Sequence, residues 1–437
     1  MLKNKNVIRK LALGMAMLSV VLLAAGCGGG NKTNNGKVTL KIWKPFVDSD
    51  KMDVLIQAYR KAHPNVTIEY TKKNIENYEG DLLNSLAAGN GPDIYSINNT
   101  WVPLYLDKIE PAPEKLYSLK EYKDTFVDVL YKDLVIDSKI YGTALWVDSL
   151  GLYYNKDLMG TAGIATPPKT WDELAKDSQR IVQQNASGYF EQSGVAIGTY
   201  QNVNRAVDIV YLMMLQAGVV PWSSDGRNPQ FSSSVSKNGQ SYNPGTEAVR
   251  FYTSFADPSS ENYTWNLDSD YSIDAFANGR AAFLYGYSYT RAQIDSKAPN
   301  LNYDVAPVPQ YALGQSNVNY ASYFAEVVSK QSKNKAVAWD FLKFITSKDV
   351  LASYYIDDKQ PSSRRDLIEK QTQDLDIGVF AHANLTAKSF YKFDEAKVDS
   401  IFGEMIESIL LNGQSVQGAL SKAQSQVSAV VSGRIFK

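Results

Sequence analysis

The sequence predicts an α/β protein made of two bodies joined through a hinge, and three observations carry that expectation. Residues 38–97 run strand, helix, strand, helix, strand in their hydrophobic spacing. A break rich in glycine and proline interrupts residues 155–170, and beyond it a second series of helices and strands begins. Strands that alternate with helices at this spacing build mainly parallel sheets with helices on their faces.

Val38, Leu40 and Ile42 alternate with Thr39 and Lys41, the two-residue period of a half-buried strand that ends in Trp43-Lys44-Pro45-Phe46. Val54, Leu55, Ala58, Tyr59 and Ala62 fall at helical spacing. Val66, Ile68 and Tyr70 make a second strand. Leu82, Leu83, Leu86 and Ala87 form another helical face, closed by Gly89-Asn90-Gly91, before a third strand at residues 94–97. At the break, Leu150, Leu152 and Tyr154 read as a strand that Asn155 to Asp157 ends. Gly160, Gly163, Pro167 and Pro168 then exclude regular structure, because proline lacks a donor and restricts the residue before it. Thr170 and Glu173 stand at capping-box spacing, so a helix should start at Trp171.

Trp171, Leu174, Ala175, Ile181 and Val182 make the first helical face of the second series. A short strand is expected at 195–198 and a helix at 207–216, ending at Gly218. Residues 223–243, rich in Ser, Asn and Gly, read as an excursion rather than a domain. Helix 273–278, strand 281–284, strands 303–309 and 324–329 and an amphipathic helix at 336–345 follow. The closing helices carry Ile401, Phe402, Met405, Ile406, Ile409 and Leu410 on one stripe and Val416, Leu420, Ala423 and Val427 on another. There is no repeat of solenoid period.

The 437 residues suffice for two or three domains. Hydrophobic content of 44% and charged content of 21% are those of an ordinary globular protein, which excludes a disordered chain and a multi-span membrane protein. Residues 1–26 carry Lys3, Lys5, Arg9 and Lys10 and no acid, so the rest of the chain is mildly acidic. Nucleic acid is therefore not an expected partner. The same residues 1–26 read as an export signal, with an apolar stretch at 11–25. Cys27, directly after Ala25-Gly26, resembles the cysteine of a bacterial lipobox, although Ala24 stands where leucine is usual. Lipid attachment at Cys27, a flexible tether at 27–37 and an exported, membrane-anchored location follow as expectations. With one cysteine there is no intramolecular disulfide.

Several segments together resemble the bacterial extracellular solute-binding proteins of ABC importers, the maltose-binding-protein-like family. They are Tyr141-Gly142, Tyr154-Asn155-Lys156-Asp157-Leu158, Pro167-Pro168-Lys169-Thr170-Trp171-Asp172-Glu173-Leu174, Gly279-Arg280-Ala281-Ala282 and Ala338-Trp339-Asp340-Phe341-Leu342-Lys343-Phe344. The chain departs from the pattern at Trp146, where the family has a small residue, and at Thr161, where it favours a polar or charged one. The resemblance implies a periplasmic-binding-protein-like type II fold with two discontinuous lobes. The N-terminal lobe would take residues 38–151 and 319–357, and the C-terminal lobe residues 152–318 and 358–437. The chain would cross between them near 150–153, 317–321 and 356–361.

Catalysis has no positive sign in the sequence. His63 and His382 lie far apart, and His63 precedes Pro64 at a helix end, where capping is its natural role. No nucleophile elbow, phosphate-binding loop or dinucleotide fingerprint occurs, and no cofactor or metal site is expected. Aromatic residues are plentiful instead: 7 Trp, 28 Tyr and 16 Phe. A sugar ring offers an apolar face that a Tyr or Trp ring can cover, and hydroxyls that polar side chains can satisfy. Open α/β sheets bind ligands beyond the carboxyl ends of their strands. Those positions nominate Trp43 and Lys44 after the first strand and Asn98 and Trp101 after the third. Trp146 and Asp148 precede the hinge, Tyr287 follows the strand at 281–284, and Tyr320 and Arg364 stand near the implied second and third crossings. Trp222 opens the polar excursion and is a further candidate platform.

The favoured function is capture of an extracellular solute, a mono- or oligosaccharide, by hinge closure and its delivery to an ABC permease, by a protein acting as a monomer. A polyamine, a peptide or a metal chelate remains open as the solute. The rival readings are an exported carbohydrate-active enzyme and a sensor or adhesin lipoprotein on the same scaffold.

Overall fold

Two five-stranded mixed sheets carry the architecture. The computed structural model describes residues 36–435 apart from 225, 238 and 312–316. The expected signal at 1–26, Cys27 and all of the tether but residues 36 and 37 lie outside the described residues. In chain order the first strands are β1 (Val38–Lys44), β2 (Val66–Lys72), β3 (Ile94–Asn98) and β4 (Ile109–Glu110). They are followed by β5 (Val135–Ile136), β6 (Lys139–Ile140), β7 (Asp148–Ser149), β8 (Gly151–Asn155), β9 (Gln183–Gln184) and β10 (Phe190–Val195). Next come β11 (Val235–Lys237), β12 (Gln240–Tyr242), β13 (Ala281–Gly286) and β14 (Tyr303–Pro307). The last are β15 (Asn319–Ser322), β16 (Phe324–Ser329) and β17 (Ala387–Lys388).

The first sheet has the order β2-β1-β3-β16-β4. β1 and β3 run parallel, with Ile42 opposite Ile94, and β16 lies antiparallel to β3, with Val327 opposite Tyr95. A strand from residues 324–329 thus fills the middle of a sheet otherwise built before residue 111. The second sheet has the order β14-β8-β13-β10-β9, with β10 and β13 parallel and β8 antiparallel to β13. A short third sheet, β17-β15-β7, adjoins both in the chain, and in it Ala321 pairs with Ser149. β7 runs straight into β8, and β15 straight into β16. Trp146 also bridges Ser362, just after the helix Lys348–Asp357. The chain therefore passes repeatedly between the two large sheets, which lie in one compact unit, residues 39–437.

The helix expected at Trp171 runs from Trp171 to Ile181. Thr170 Oγ1 accepts from the Glu173 N–H and Glu173 Oε2 accepts from the Thr170 N–H, both at 3.2 Å. The reciprocal bonds satisfy two donors that the helix cannot. The helix packs on β10 at Gly194, where a Cβ would lie 2.4 Å from Ser178 Cα. Gly194→Ala is therefore expected to cost about 3 kcal/mol, since backbone cannot rotate away as a side chain can. Urea unfolding within 1 kcal/mol of wild type would refute that packing.

The strand expected at 195–198 is displaced to Phe190–Val195. Its first half borders the short edge strand β9 and is partly exposed, so Glu191 and Gln192 lack the apolar signature of a buried strand. At Gly198 the backbone turns to a φ of +114° against Ala256, which ends the extended run. The excursion at 223–243 contains the small hairpin β11–β12. Helix Ala206–Gln216 is buried on every side from Ala206 to Leu215 and forms the centre of the core beneath the second sheet. His63 caps the helix Ser49–Ala62 and stacks on Tyr59 at 4.1 Å.

Candidate ligand-binding site

The parallel strands of each large sheet point their carboxyl ends at one edge, and both edges carry exposed aromatic rings. Beyond β1, Phe46 adopts a φ of +64° and stays 57% exposed. Its ring meets Phe324 edge-on at 5.4 Å, and Phe324 meets Trp101 at 6.0 Å. Beyond β2, the Lys73 ammonium sits 3.7 Å from the centre of the Trp43 ring, a cation–π contact. Phe46, Lys72, Lys73, Asn74 and Ile75 line a cavity of about 530 Å³ at this edge.

Beyond β13, Tyr287 is buried and Tyr289 is 49% exposed, their rings stacked at 5.8 Å. Beyond β10 the chain reaches Arg205, whose φ of +57° is left-handed. For a residue with a Cβ that conformation costs about 1–2 kcal/mol, and such strain gathers at functional sites. The Arg205 guanidinium lies over the Tyr287 ring at 5.2 Å and pairs with Asp208. Tyr271, 42% exposed, donates to Asn204 at 3.4 Å beside it.

The short sheet ties these edges together. Asp148 on β7 accepts from the Ser288 N–H at 3.0 Å, the Ser288 hydroxyl at 2.7 Å and the Ser149 N–H at 3.0 Å. Burial nevertheless pushes its carboxyl up to about 7. Asp133 accepts from Asn99 at 3.0 Å and Tyr323 at 2.9 Å, and also from Ser389, and burial raises it to about 6. Leu104, in the short helix Val102–Tyr105 after Trp101, packs on the core beneath the second sheet. The loop after β3 therefore abuts the second body.

Both carboxyls hold their protons longer in the fold than in the unfolded chain. Their contribution to stability is therefore present at acid pH and is lost as pH rises from the ordinary carboxylate range towards about 7. Asp148→Asn is expected to flatten the rise in urea sensitivity between pH 4 and pH 7, by up to about 1.4 kcal/mol per pH unit. An unchanged slope in the variant would remove Asp148 from that account.

Residues 44–352 match the family of bacterial extracellular solute-binding proteins. The chain belongs to that family. This solute-binding protein is 26% identical over 354 residues to a Brucella abortus binding protein, covering 79% of this chain and 80% of that one. It is 25% identical over 363 residues to the maltodextrin-binding protein MdxE of Bacillus subtilis, covering 79% of each. Among solved structures it is similar to the cyclic alpha-maltosyl-1,6-maltose binding protein of Arthrobacter globiformis. The TM-score is 0.75 at 20% identity, over 91% of this chain and 100% of that one. The architecture is the two-lobe type II arrangement of such proteins.

The residues nominated from the sequence of this solute-binding protein take different places. Trp43, Trp101 and the half-buried Trp146 stand at the first edge and the hinge, and Tyr287 at the second. Asn98 accepts from the Thr100 N–H at 2.9 Å and its hydroxyl at 2.8 Å, and so caps the turn after β3. Lys44 is buried in a pair with Glu326, 5.8 Å from the Trp146 ring, and burial lowers its pKa against the pull of that carboxylate. Arg364 donates to Asp366 through two nitrogens and to the Thr346 carbonyl through the third. Trp222 and Tyr320 lie in the core under the second sheet. Trp222 meets Phe393 edge-on at 5.0 Å, and Tyr320 lies 5.8 Å from Tyr211.

The sequence reading passed over Arg205, Tyr271 and the charges behind them. Lys392, 1% exposed, reaches Asp208 at 3.3 Å, Asp399 at 2.9 Å and Glu395 at 3.5 Å. Burial works against ionisation of Asp208, but Arg205 and Lys392 hold it below the usual carboxylate range. Burial raises Asp399 to about 6 despite Lys392. The Asn204-Arg205 pair, in the turns just before the apolar helix Ala206–Gln216, is the one trace these contacts leave in the sequence.

Proposed function

We propose that this solute-binding protein captures an extracellular mono- or oligosaccharide between two lobes and hands it, unreacted, to the permease of an ABC importer. The observation that carries the reading is the set of solvent-facing rings, Phe46, Tyr271 and Tyr289, near the carboxyl ends of strands in both large sheets. Such rings cover the apolar face of a pyranose, and polar groups at the rim satisfy its hydroxyls. Relatives named for maltodextrin and maltosyl ligands support the same solute class.

The lobes comprise residues 38–151 with 319–357 and residues 152–318 with 358–437. Trp43, Asn98 and Trp101 back the first wall, Trp146 and Asp148 stand at the hinge, and Tyr287, Tyr320 and Trp222 back the second. Lys44 and Arg364 hold their surroundings rather than the solute. A solute that touches both walls only when they meet shifts the population towards the closed form. The protein is exported, held at the membrane by acyl chains on Cys27, and monomeric. Stable anchoring takes more than one chain.

A thermal-shift screen against neutral oligosaccharides, peptides and polyamines tests the reading. A sugar at a hundred times its Kd is expected to add about 2.7 kcal/mol and to be recovered chemically unchanged. A shift with peptides or polyamines alone would overturn the sugar assignment, and a cleaved sugar would overturn the binding role.

A further inference from the structure

The geometry points to Arg205 as the residue that fixes solute specificity in the second wall, through one guanidinium edge presented near the exposed rings of Tyr271 and Tyr289 to a neutral sugar. The inference rests on the sugar-binding reading and goes beyond it in naming the residue and the charge class of the solute.

Three observations carry it. First, the guanidinium is positioned and not free to swing. Nε donates to Asp208 at 2.6 Å, Nη2 pairs with the same carboxylate oxygen, and the Tyr287 ring lies under its face at 5.2 Å. Tyr287 in turn donates its hydroxyl to Asp208 at 3.0 Å, so the support beneath Arg205 is itself held. Second, the side chain remains 29% exposed, although its backbone is forced into the left-handed region to bring it there. Among the described contacts Nη1 has no protein acceptor, which leaves an N–H edge for an oxygen of a bound molecule. Third, two exposed tyrosines stand near it, Tyr289 stacked on the Tyr287 ring and Tyr271 bonded to the neighbouring Asn204. The Arg205 charge acts on both hydroxyls, and it is the largest influence on each after burial itself.

The charges behind this slot decide the solute class. Arg205 and Lys392 face Asp208, Asp399 and Glu395, so the ionised cluster carries one negative charge in excess. A carboxylate or phosphate on the solute would meet a guanidinium already neutralised by Asp208 and two further carboxylates behind Lys392. A hydroxyl or ring oxygen accepts the single free edge without that repulsion. The exposed rings of Tyr271 and Tyr289 nearby suit the apolar face of a pyranose.

Calorimetric titration of the full chain with neutral gluco-, galacto- and manno-oligosaccharides, and with trigalacturonate as the acidic counterpart, tests the proposal. Wild type is expected to bind at least one neutral sugar and to bind trigalacturonate at least tenfold more weakly. Arg205→Lys keeps the charge but loses the flat fork. Arg205→Lys and, separately, Tyr289→Ala at an exposed ring are each expected to weaken that neutral sugar at least tenfold while the chain stays folded by circular dichroism, with the melting temperature of Tyr289→Ala nearly unchanged. If both variants bind as wild type does, Arg205 has no such role while the sugar-binding reading stands. Trigalacturonate bound more tightly than every neutral sugar would overturn the charge class. Absence of heat with any saccharide would overturn the sugar-binding reading, and this inference with it.

Discussion

Replacing Lys392 with methionine is expected to cost about 3–5 kcal/mol of stability, because it strips a buried charge from the buried carboxylate of Asp208 and the partly exposed ones of Glu395 and Asp399. Lys392 is 1% exposed and lies within 3.5 Å of Asp208, Glu395 and Asp399. Asp208 keeps Arg205 and the Tyr287 hydroxyl in the variant, so the larger share of the damage falls on Asp399. Burial already raises that carboxyl to about 6 with the lysine present. Without the lysine the group climbs further, and the folded state holds a proton that the unfolded chain releases near the ordinary carboxylate value. Stability of the variant is then lost as pH rises through the folded value and partly restored in acid. Urea midpoints at pH 5 and pH 7.5 should therefore differ more for Lys392→Met than for wild type. A variant equally weakened at both values would show that packing, not charge, is what the lysine supplies.

The second large effect belongs to Lys44. Lys44→Met leaves Glu326, 2% exposed, in the middle of the first sheet with the Ser96 hydroxyl, at 2.7 Å, as its hydrogen-bond partner. A loss of about 3–5 kcal/mol is expected. Replacing both partners, Lys44→Met with Glu326→Leu, should recover most of it, because two well-packed apolar groups carry no desolvation penalty. The double-mutant cycle measures the coupling directly. A double variant no more stable than the single one would mean that the pair is needed to seat β1 and β16 on either side of β3 and not merely for its charge balance.

These two lysines also show where sequence reading stops. Local signals read through cleanly. The capping box at Thr170 and Glu173, the alternation in β1 and the helix that ends in Ile345 all depend on residues a few positions apart. Lys44 looked like a strand-end group offered to a solute because its partner lies 282 positions later in the chain. Arg364 sits two residues from the Asp366 that holds it, but spacing alone does not show that the fork closes on that carboxylate. Strand-end positions nominated residues at both edges of the candidate site. How Phe46 and Arg205 are presented was not legible, because it depends on left-handed backbones in residues that carry no glycine to announce the turn. The place of β16 between β3 and β4 was likewise beyond periodicity, which reports the face a strand buries and says nothing of its neighbours.

That placement has a cost during synthesis. β3 and β4 are complete by residue 110, but the strand that separates them ends at residue 329. Until then one side of β3, buried along its whole length in the finished protein, has bare N–H and C=O groups and apolar side chains. An exposed strand edge of that kind invites pairing with other chains, and contacts this distant in sequence form slowly. A nascent chain halted anywhere before the end of its third quarter cannot close its first sheet, so folding of the amino-terminal half waits on residues made long afterwards.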